Sequence, residues 1–297
     1  MQISDSFFIA GSGFLTDSYD NFIIGLMVPM IGYCYFDNID YMGKDNVNQV
    51  PNLENGWLKA ASSYGNLVGQ LTFGILGDLI GRKKIYGIAL LILITGALGT
   101  SLAAQPMRGI SIVTAVAFWR FILGFGVGGD YPVSSVITSE FATPQNRGSL
   151  IALVFAMQGV GILLAAGVAV GTVAAMQGPI NADQHNLDYV WRFLSAFGCV
   201  PAMCAVYYRL TISESPRYTM NVEGNVEQAV ADAQNHVTNH AHETVGKAKI
   251  NPFKAYGHRF ITHFSKWDHL KKLIACSMCW FLLDIGYYGI LLVESSI

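Results

Sequence analysis

The chain has 297 residues, of which 52% are hydrophobic and 13% are charged. A soluble globular domain carries about 25% charged residues, so this chain has too few charges to cover a surface exposed to water. Its formal net charge of −2 argues against nucleic acid as a partner. Both observations favour an integral membrane protein whose main partner is the lipid bilayer.

Apolar stretches of about 20 residues recur along the chain, and this is the length that a helix needs to cross a hydrocarbon core of about 30 Å. The stretches lie near residues 7–35, 57–80, 85–104, 112–137, 149–176, 189–208 and 270–292. We therefore expect an all-α membrane protein. The segment after the sixth stretch carries many charges and has no apolar run, so it is predicted to be one long aqueous loop that starts at Arg209.

Basic residues indicate the orientation of these spans. They cluster after even-numbered stretches, as in Arg82-Lys83-Lys84 and from Arg209 onward, whereas segments 36–55 and 177–188 carry mainly acidic residues. By the positive-inside rule, the N-terminus and the long loop are predicted to be cytoplasmic. No basic cluster precedes the first stretch, which favours a retained helix over a signal peptide.

Six spans, a long cytoplasmic loop and one more span are typical of the first part of a twelve-helix transporter. This pattern predicts a six-helix bundle at 1–208, a central loop at 209–269 and a seventh helix at 270–297, which would begin an incomplete second bundle. We therefore expect the chain to be truncated.

The segment between the second and third stretches reads GILGDLIGRKK, from Gly74 to Lys84. It resembles the GxxxDxxGRK signature of the major facilitator superfamily. Asp78 at the inner end of a helix can pair with Arg82 or with a neighbouring helix terminus and hold a cytoplasmic gate in one state. Glu140 with Arg147 after the fourth stretch, and segment 213–217, SESPR, resemble two further motifs of that superfamily, although the second usually begins with proline where this chain has Ser213. The gating residues that these resemblances imply are Asp78, Arg82, Glu140 and Arg147.

The fourth stretch contains GFGVGGDYPVSSVITSE, from Gly124 to Glu140. Its glycines lie inside an apolar run and follow no strand, so we interpret them as positions of close helix packing and not as a nucleotide loop. Asp130 would cost about 2.5–3.5 kcal/mol at that depth on insertion scales, so it is expected to face a cavity. Pro132 removes a helical hydrogen bond beside it.

The run GGDYPVSSVITSE is similar to GGDYPLSATIMSE of the eukaryotic phosphate:proton symporters, the fungal and plant high-affinity branch of the superfamily. Segments 13–20, 155–159 and 279–289 agree with the same family. The resemblance implies import of inorganic phosphate with protons by alternating access, at the plasma membrane and without a cofactor. No catalytic triad, metal site or cofactor loop was found in the sequence, so an enzyme is disfavoured.

The resemblance also implies roles for individual residues. The implied phosphate contacts are Tyr131, Gln158, Trp280, Asp284 and Tyr288. The implied proton path uses Asp17 or Asp20, with Arg120 and Asp130. Counting about 1.5 Å per residue from the cytoplasmic ends places Asp20, Gln158 and Asp284 near the midplane of the bilayer. Positions 280, 284 and 288 share one helix face.

Two further expectations concern charge. Arg120 and Asp130 are ten residues apart, about 15 Å along a helix, so Arg120 is expected to pair with Asp17 or Asp20 on span one. Indole, phenol and amide groups can donate hydrogen bonds to phosphate oxygens. A carboxylate among them repels the anion unless it is protonated, which makes the proton a condition of tight binding.

Three alternatives stay open at this point. A glycerophosphodiester:proton symporter would use much of the same framework. A phosphate-sensing receptor would use the pocket without net flux, and a fragment would transport nothing. The oligomeric state is also left open.

Overall fold

The computed structural model describes residues 3–36, 49–104, 111–141, 145–211, 257 and 260–294. The regular elements assigned in this part of the chain are helical, in agreement with the predicted all-α class. The helices are α1 (Ile3–Tyr35), α2 (Asn52–Ile80), α3 (Arg82–Ser101), α4 (Ile112–Phe141), α5 (Arg147–Ala175), α6 (Gln177–Ala182), α7 (Leu187–Phe197), α8 (Cys199–Thr211) and α9 (Trp267–Glu294). A 3-10 turn, Gln184–Asn186, precedes α7.

Among the residues that the structure describes, four helical segments are long and apolar enough to cross a membrane by length and composition. They are Arg82–Ser101, Ile112–Ser139, Arg147–Ala175 and Gln184–Tyr207. Helices α1, α2 and α9 are not among them. Polar residues of α1, among them Asp17 and Asp20, are buried within the protein.

Helices α2 and α4 cross on glycines. A Cβ atom added at Gly65 or Gly69 of α2 would collide with the α4 backbone, and one added at Gly124 or Gly128 of α4 would collide with the α2 backbone. Small residues let two helix backbones approach closely, which is how packing is gained in lipid. The interpretation of the α4 glycines as packing positions is confirmed.

A single residue, Gly81, separates α2 from α3. Its φ of 109° lies in a region that side chains with a Cβ rarely adopt. The turn brings Arg82 back onto Asp78, and Arg82 Nη2 lies 3.2 Å from Asp78 Oδ1. The predicted pairing of these two residues is therefore present.

The sixth predicted span consists of α7 and α8, with Gly198 between them. In the first half of α7, Arg192 pairs with Asp188 at 2.8 Å and donates to the carbonyl oxygens of Ser101 and Ala103 at 2.9 and 2.6 Å. Ser101 is the last residue of α3 and Ala103 follows its cap, where backbone acceptors lack partners within the helix. Arg192 therefore fastens α7 to α3.

The C-terminal end of α8 differs from the sequence-based expectation. Arg209 was expected to begin the aqueous loop, but α8 continues to Thr211 and the Arg209 side chain has no exposed surface. The predicted position of Arg209 is wrong because the helix carries it inward against charged partners on other helices.

Helix α9 lies against the other helices through aromatic rings. Trp280 meets Phe155 of α5 with ring centroids 6.1 Å apart, and Tyr287 meets Phe22 of α1 at 6.2 Å. Most described side chains of α9 are exposed.

Candidate functional site

One group of predicted site residues lies between α1, α4 and α5. Gln158 Nε2 donates a hydrogen bond of 2.8 Å to the hydroxyl of Tyr131. The ring of Phe14 packs edge-on against Tyr131 and Phe155, with centroid distances of 4.9 and 4.7 Å. Phe14 is buried, so this aromatic wall fixes the Tyr131 phenol beside the Gln158 amide. We call Tyr131 and Gln158 the donor pair.

The predicted residues of α9 stand beside this group. Trp280 is 56% exposed, and its contact with Phe155 places it next to the wall that supports the donor pair. Asp284 is partly buried one helical turn further on. The Tyr288 side chain lies outside the described residues.

A second group is charged and fully buried. Asp130 of α4 accepts a hydrogen bond of 2.6 Å from Arg209 Nη2 of α8 and one of 2.8 Å from the Ser134 hydroxyl. Ser134 is also hydrogen-bonded to the phenol of Tyr86 at 2.9 Å. The guanidinium carbon of Arg209 lies 3.9 Å from the centroid of the Tyr86 ring.

Asp17 of α1 completes this group. Its side chain is fully buried, and the α1 backbone one turn before it, at Gly13, packs against Arg209 and Asp130. None of the described residues donates to either oxygen of Asp17. We call Asp17, Asp130 and Arg209 the acid–arginine cluster. When both carboxyls are ionised its charge is −1, and one added proton makes it neutral.

Arg120 forms a separate pair. Its Nη1 donates a hydrogen bond of 2.7 Å to the backbone oxygen of Asp20, and both side chains are buried. The Asp20 carboxyl is also the charge that acts on Arg120. The structure therefore selects Asp20, of the two aspartates considered, as the neighbour of Arg120. Arg120 and Asp130 contact different partners, as expected from their spacing.

The residues with predicted gating roles lie at helix ends. Asp78 and Arg82 flank the turn between α2 and α3, and Arg147 begins α5. Glu140 belongs to the last turn of α4, and its side chain lies outside the described residues.

Comparison with known proteins assigns the family. The sequence pattern of the family described as "Sugar (and other) transporter" matches residues 6–291. The chain belongs to this family. Its members are transporters of the major facilitator superfamily and not enzymes.

Several similar proteins are named as phosphate transporters. The chain is 38% identical to the repressible high-affinity phosphate permease of Neurospora crassa, over 97% of this chain and 53% of the permease. It is 36% identical to the inorganic phosphate transporter PHO84 of Saccharomyces cerevisiae, over 97% of this chain and 52% of PHO84. It is 39% identical to low affinity inorganic phosphate transporter 4 of Petunia hybrida, over 97% of this chain and 56% of that transporter. The chain therefore spans about half the length of these relatives.

Solved structures share the helical fold. The xylose transporter XylE from E. coli, in a partially occluded inward open conformation, superposes with a TM-score of 0.64 at 21% identity, over 78% of this chain and 53% of XylE. The proton:xylose symporter XylE bound to 6-bromo-6-deoxy-D-glucose gives a TM-score of 0.66 at 22% identity, over 78% of this chain and 49% of XylE. This likeness confirms the major facilitator fold.

Three residues of the charged group were not identified from the sequence. They are Tyr86, Ser134 and Arg209. The sequence did not point to Arg209 as a site residue, because the positive-inside rule already accounts for a basic residue at the predicted cytoplasmic end of a span. Its signal was indirect: Asp130 inside an apolar helix needed a cation, and Arg120 was too far along the same helix to supply it.

Proposed function

We propose that this chain carries the phosphate- and proton-binding part of a proton-coupled importer of inorganic phosphate. The observation that carries the proposal is the donor pair. Tyr131 of this pair is adjacent in sequence to Asp130 of the acid–arginine cluster, so the predicted phosphate contacts lie close to buried carboxyls. The 36–39% identity to named phosphate transporters supports the same substrate. A plasma-membrane location and a cytoplasmic N-terminus belong to this proposal.

The chemistry of the donor pair suits an oxyanion. A phenol and an amide can donate hydrogen bonds to phosphate oxygens without a fixed positive charge that would hold the ion too tightly to release. Trp280 would add an indole N–H from α9. Carboxyls near the ligand favour binding only when they are protonated, which couples phosphate to the proton.

Coupling also has an energetic reason. Each negative charge that enters a negatively charged cell is opposed by about 2.3 kcal/mol per 100 mV. Protons that enter with phosphate offset this cost. The acid–arginine cluster can supply that step, since it is neutral while it carries the proton and has a charge of −1 after the proton is released.

Uptake of labelled phosphate by proteoliposomes tests the proposal. The complete gene product should accumulate phosphate when the outside is acidic, and a protonophore should abolish accumulation. Gln158→Leu should lower uptake severalfold, whereas Gln70→Leu, an exposed glutamine on α2, should leave it unchanged. A protein that accumulates no phosphate under a proton gradient would overturn the proposal.

The same assay separates the alternatives. Stronger competition by a glycerophosphodiester than by phosphate would identify the diester as the substrate. Saturable phosphate binding with no flux in sealed vesicles would indicate a receptor.

A further inference from the structure

The segment that leads into α9 has a defined shape. Residues 260–264 are helical, and a two-residue turn separates them from the start of α9. The imidazole rings of His263 and His269 stack across this turn, with their centroids 4.2 Å apart. The contact joins the short helical piece to the first turn of α9. We call residues 260–272 the α9 entry segment.

Three large apolar side chains of the α9 entry segment are exposed. Phe260 is 51% exposed, Ile261 69% and Trp267 68%. The predicted apolar stretch of the seventh span begins three residues after Trp267, which is about 4.5 Å along a helix. Tryptophan is enriched at this level of a membrane, where the hydrocarbon meets the headgroups. Trp267 is therefore expected at the boundary between acyl chains and headgroups.

The same segment carries an excess of positive charge. Lys266, Lys271 and Lys272 are exposed. Asp268 is the one acidic residue of the segment, and it pairs with Lys271 Nζ at 2.5 Å. Three lysines against one aspartate leave two positive charges when the histidines are neutral.

This combination of side chains distinguishes between two kinds of partner. Lysine is depleted from protein–protein interfaces, so a second protein surface would not favour lysines beside exposed aromatic rings. Anionic lipids of the cytoplasmic leaflet attract basic residues that lie next to a spanning helix. Lysine side chains can also lie along an apolar surface while the ammonium group reaches the headgroups. Charge complementarity and the position beside a span both favour lipid.

We propose that the α9 entry segment binds anionic phospholipids of the cytoplasmic leaflet. Its lysines contact the charged headgroups, and its exposed apolar side chains insert among the upper parts of the acyl chains. The inference rests on the cytoplasmic orientation given in the proposed function and not on transport itself. Lipid bound here holds the start of the helix whose Trp280 meets Phe155 beside the donor pair.

Quenching of Trp267 fluorescence by brominated lipids tests the proposal. The complete gene product is placed in phosphatidylcholine nanodiscs that contain, at equal mole fraction, brominated phosphatidylserine or brominated phosphatidylcholine. Subtracting the signal of Trp267→Phe isolates Trp267 from the other tryptophans. We expect brominated phosphatidylserine to quench Trp267 about twofold more strongly. Salt at about 0.5 M should reduce this preference, because it screens exposed charges.

Two variants with the same change in charge locate the effect. In the first, the three lysines of the α9 entry segment become glutamine: Lys266→Gln/Lys271→Gln/Lys272→Gln. In the matched control, three lysines of the predicted central loop become glutamine: Lys247→Gln/Lys249→Gln/Lys254→Gln. The first variant should lose the preference for phosphatidylserine and keep the quenching by phosphatidylcholine, whereas the control should keep both. An equal loss in the two variants would show that only the overall charge matters and would overturn the site.

The remaining outcomes are separate from transport. Equal quenching of wild-type Trp267 by the two brominated lipids would overturn the binding of anionic headgroups. No quenching by either lipid would show that protein covers the segment, and it would overturn the lipid contact. An N-terminal tag that protease cleaves from outside intact cells would refute the assignment to the cytoplasmic leaflet. Failure of the proposed function itself is seen elsewhere, in the absence of gradient-driven phosphate accumulation.

Discussion

At the scale of single residues, Gly13 shows how α1 makes room for a buried ion pair. A Cβ atom at this position would collide with Arg209 Nη2 and lie 2.6 Å from Asp130 Oδ2. The absence of a side chain therefore lets the guanidinium and the carboxylate pack directly on the α1 backbone. Gly25 on the same helix has open space around its Cα.

Gly13→Ala should consequently destabilise the protein, whereas Gly25→Ala should not. Both substitutions add the same helix propensity, so the difference isolates the collision with the ion pair. Overpacking of this kind costs about 1–3 kcal/mol. Thermal unfolding of the two purified proteins measures the effect, and equal melting temperatures would show that the pair can move away from α1.

Arg120 provides the second prediction at this scale. Arg120→Met should leave the Asp20 carboxylate buried without a nearby cation, at a cost of about 3–5 kcal/mol. Adding Asp20→Asn should recover much of this loss, because the neutral amide needs no cation. Lys84→Met, on an exposed side chain of α3, is the control.

Folded yield and thermal unfolding of the single and double variants form a double-mutant cycle. If the two effects simply add, then Arg120 acts only through its bond to the backbone oxygen of Asp20, and the two side-chain charges are independent.

At the scale of helices, the sequence predicted which stretches are apolar but not how they meet. Residues 149–176 were predicted as a span, and α5 covers Arg147–Ala175. The two agree because the length of an apolar stretch can be counted from hydropathy along the sequence. The sixth span was predicted to end at residue 208, yet α8 continues to Thr211. Hydropathy counts Arg209 as a break, whereas the helix tolerates it because Asp130 and Tyr86 lie on neighbouring helices. Such partners are distant in sequence and become visible only in the fold.

The crossing of α2 and α4 gives the third prediction. Gly124→Val should disrupt folding, since the added side chain would run into the backbone around Ser62. Gly171→Val on α5, where nothing lies within 4 Å of an added Cβ, carries the same change in helix propensity without the collision. Surface expression and monodispersity in detergent compare the two. Similar behaviour of both variants would mean that α2 and α4 can separate without loss of the fold.

At the scale of the whole molecule, the predicted site residues divide into three groups at different places. Tyr131 and Gln158 form the donor pair, Asp17 and Asp130 join Arg209, and Arg120 joins Asp20. The depth count from the sequence placed polar groups at similar levels but could not assign partners, because depth along a helix says nothing about which face a side chain occupies. Asp20 and Asp17 differ by three residues, yet Arg120 bonds to the backbone of Asp20 and to no atom of Asp17 that the structure records.

Asp284 of α9 is a predicted site residue outside these three groups. It is the one acidic residue between Lys272 and Glu294, and it is partly buried on the helix whose Trp280 meets the aromatic wall. A carboxyl in an apolar span is retained at a cost, which points to a role in binding or coupling. In the proposed function Asp284 is protonated when phosphate is bound, since its carboxylate would repel the anion.

Asp284→Asn has nearly the shape of the protonated side chain and cannot exchange a proton. Phosphate binding to the complete gene product should therefore survive at least in part, whereas accumulation driven by a proton gradient should collapse. Asp268→Asn, at the exposed start of the same helix and paired with Lys271, should change neither. Equilibrium binding and gradient-driven uptake measured on the same preparations separate the two properties. An Asp284→Asn protein that still accumulates phosphate against its gradient would make Asp284 a structural residue, and the acid–arginine cluster would then be left as the place where the coupling proton binds.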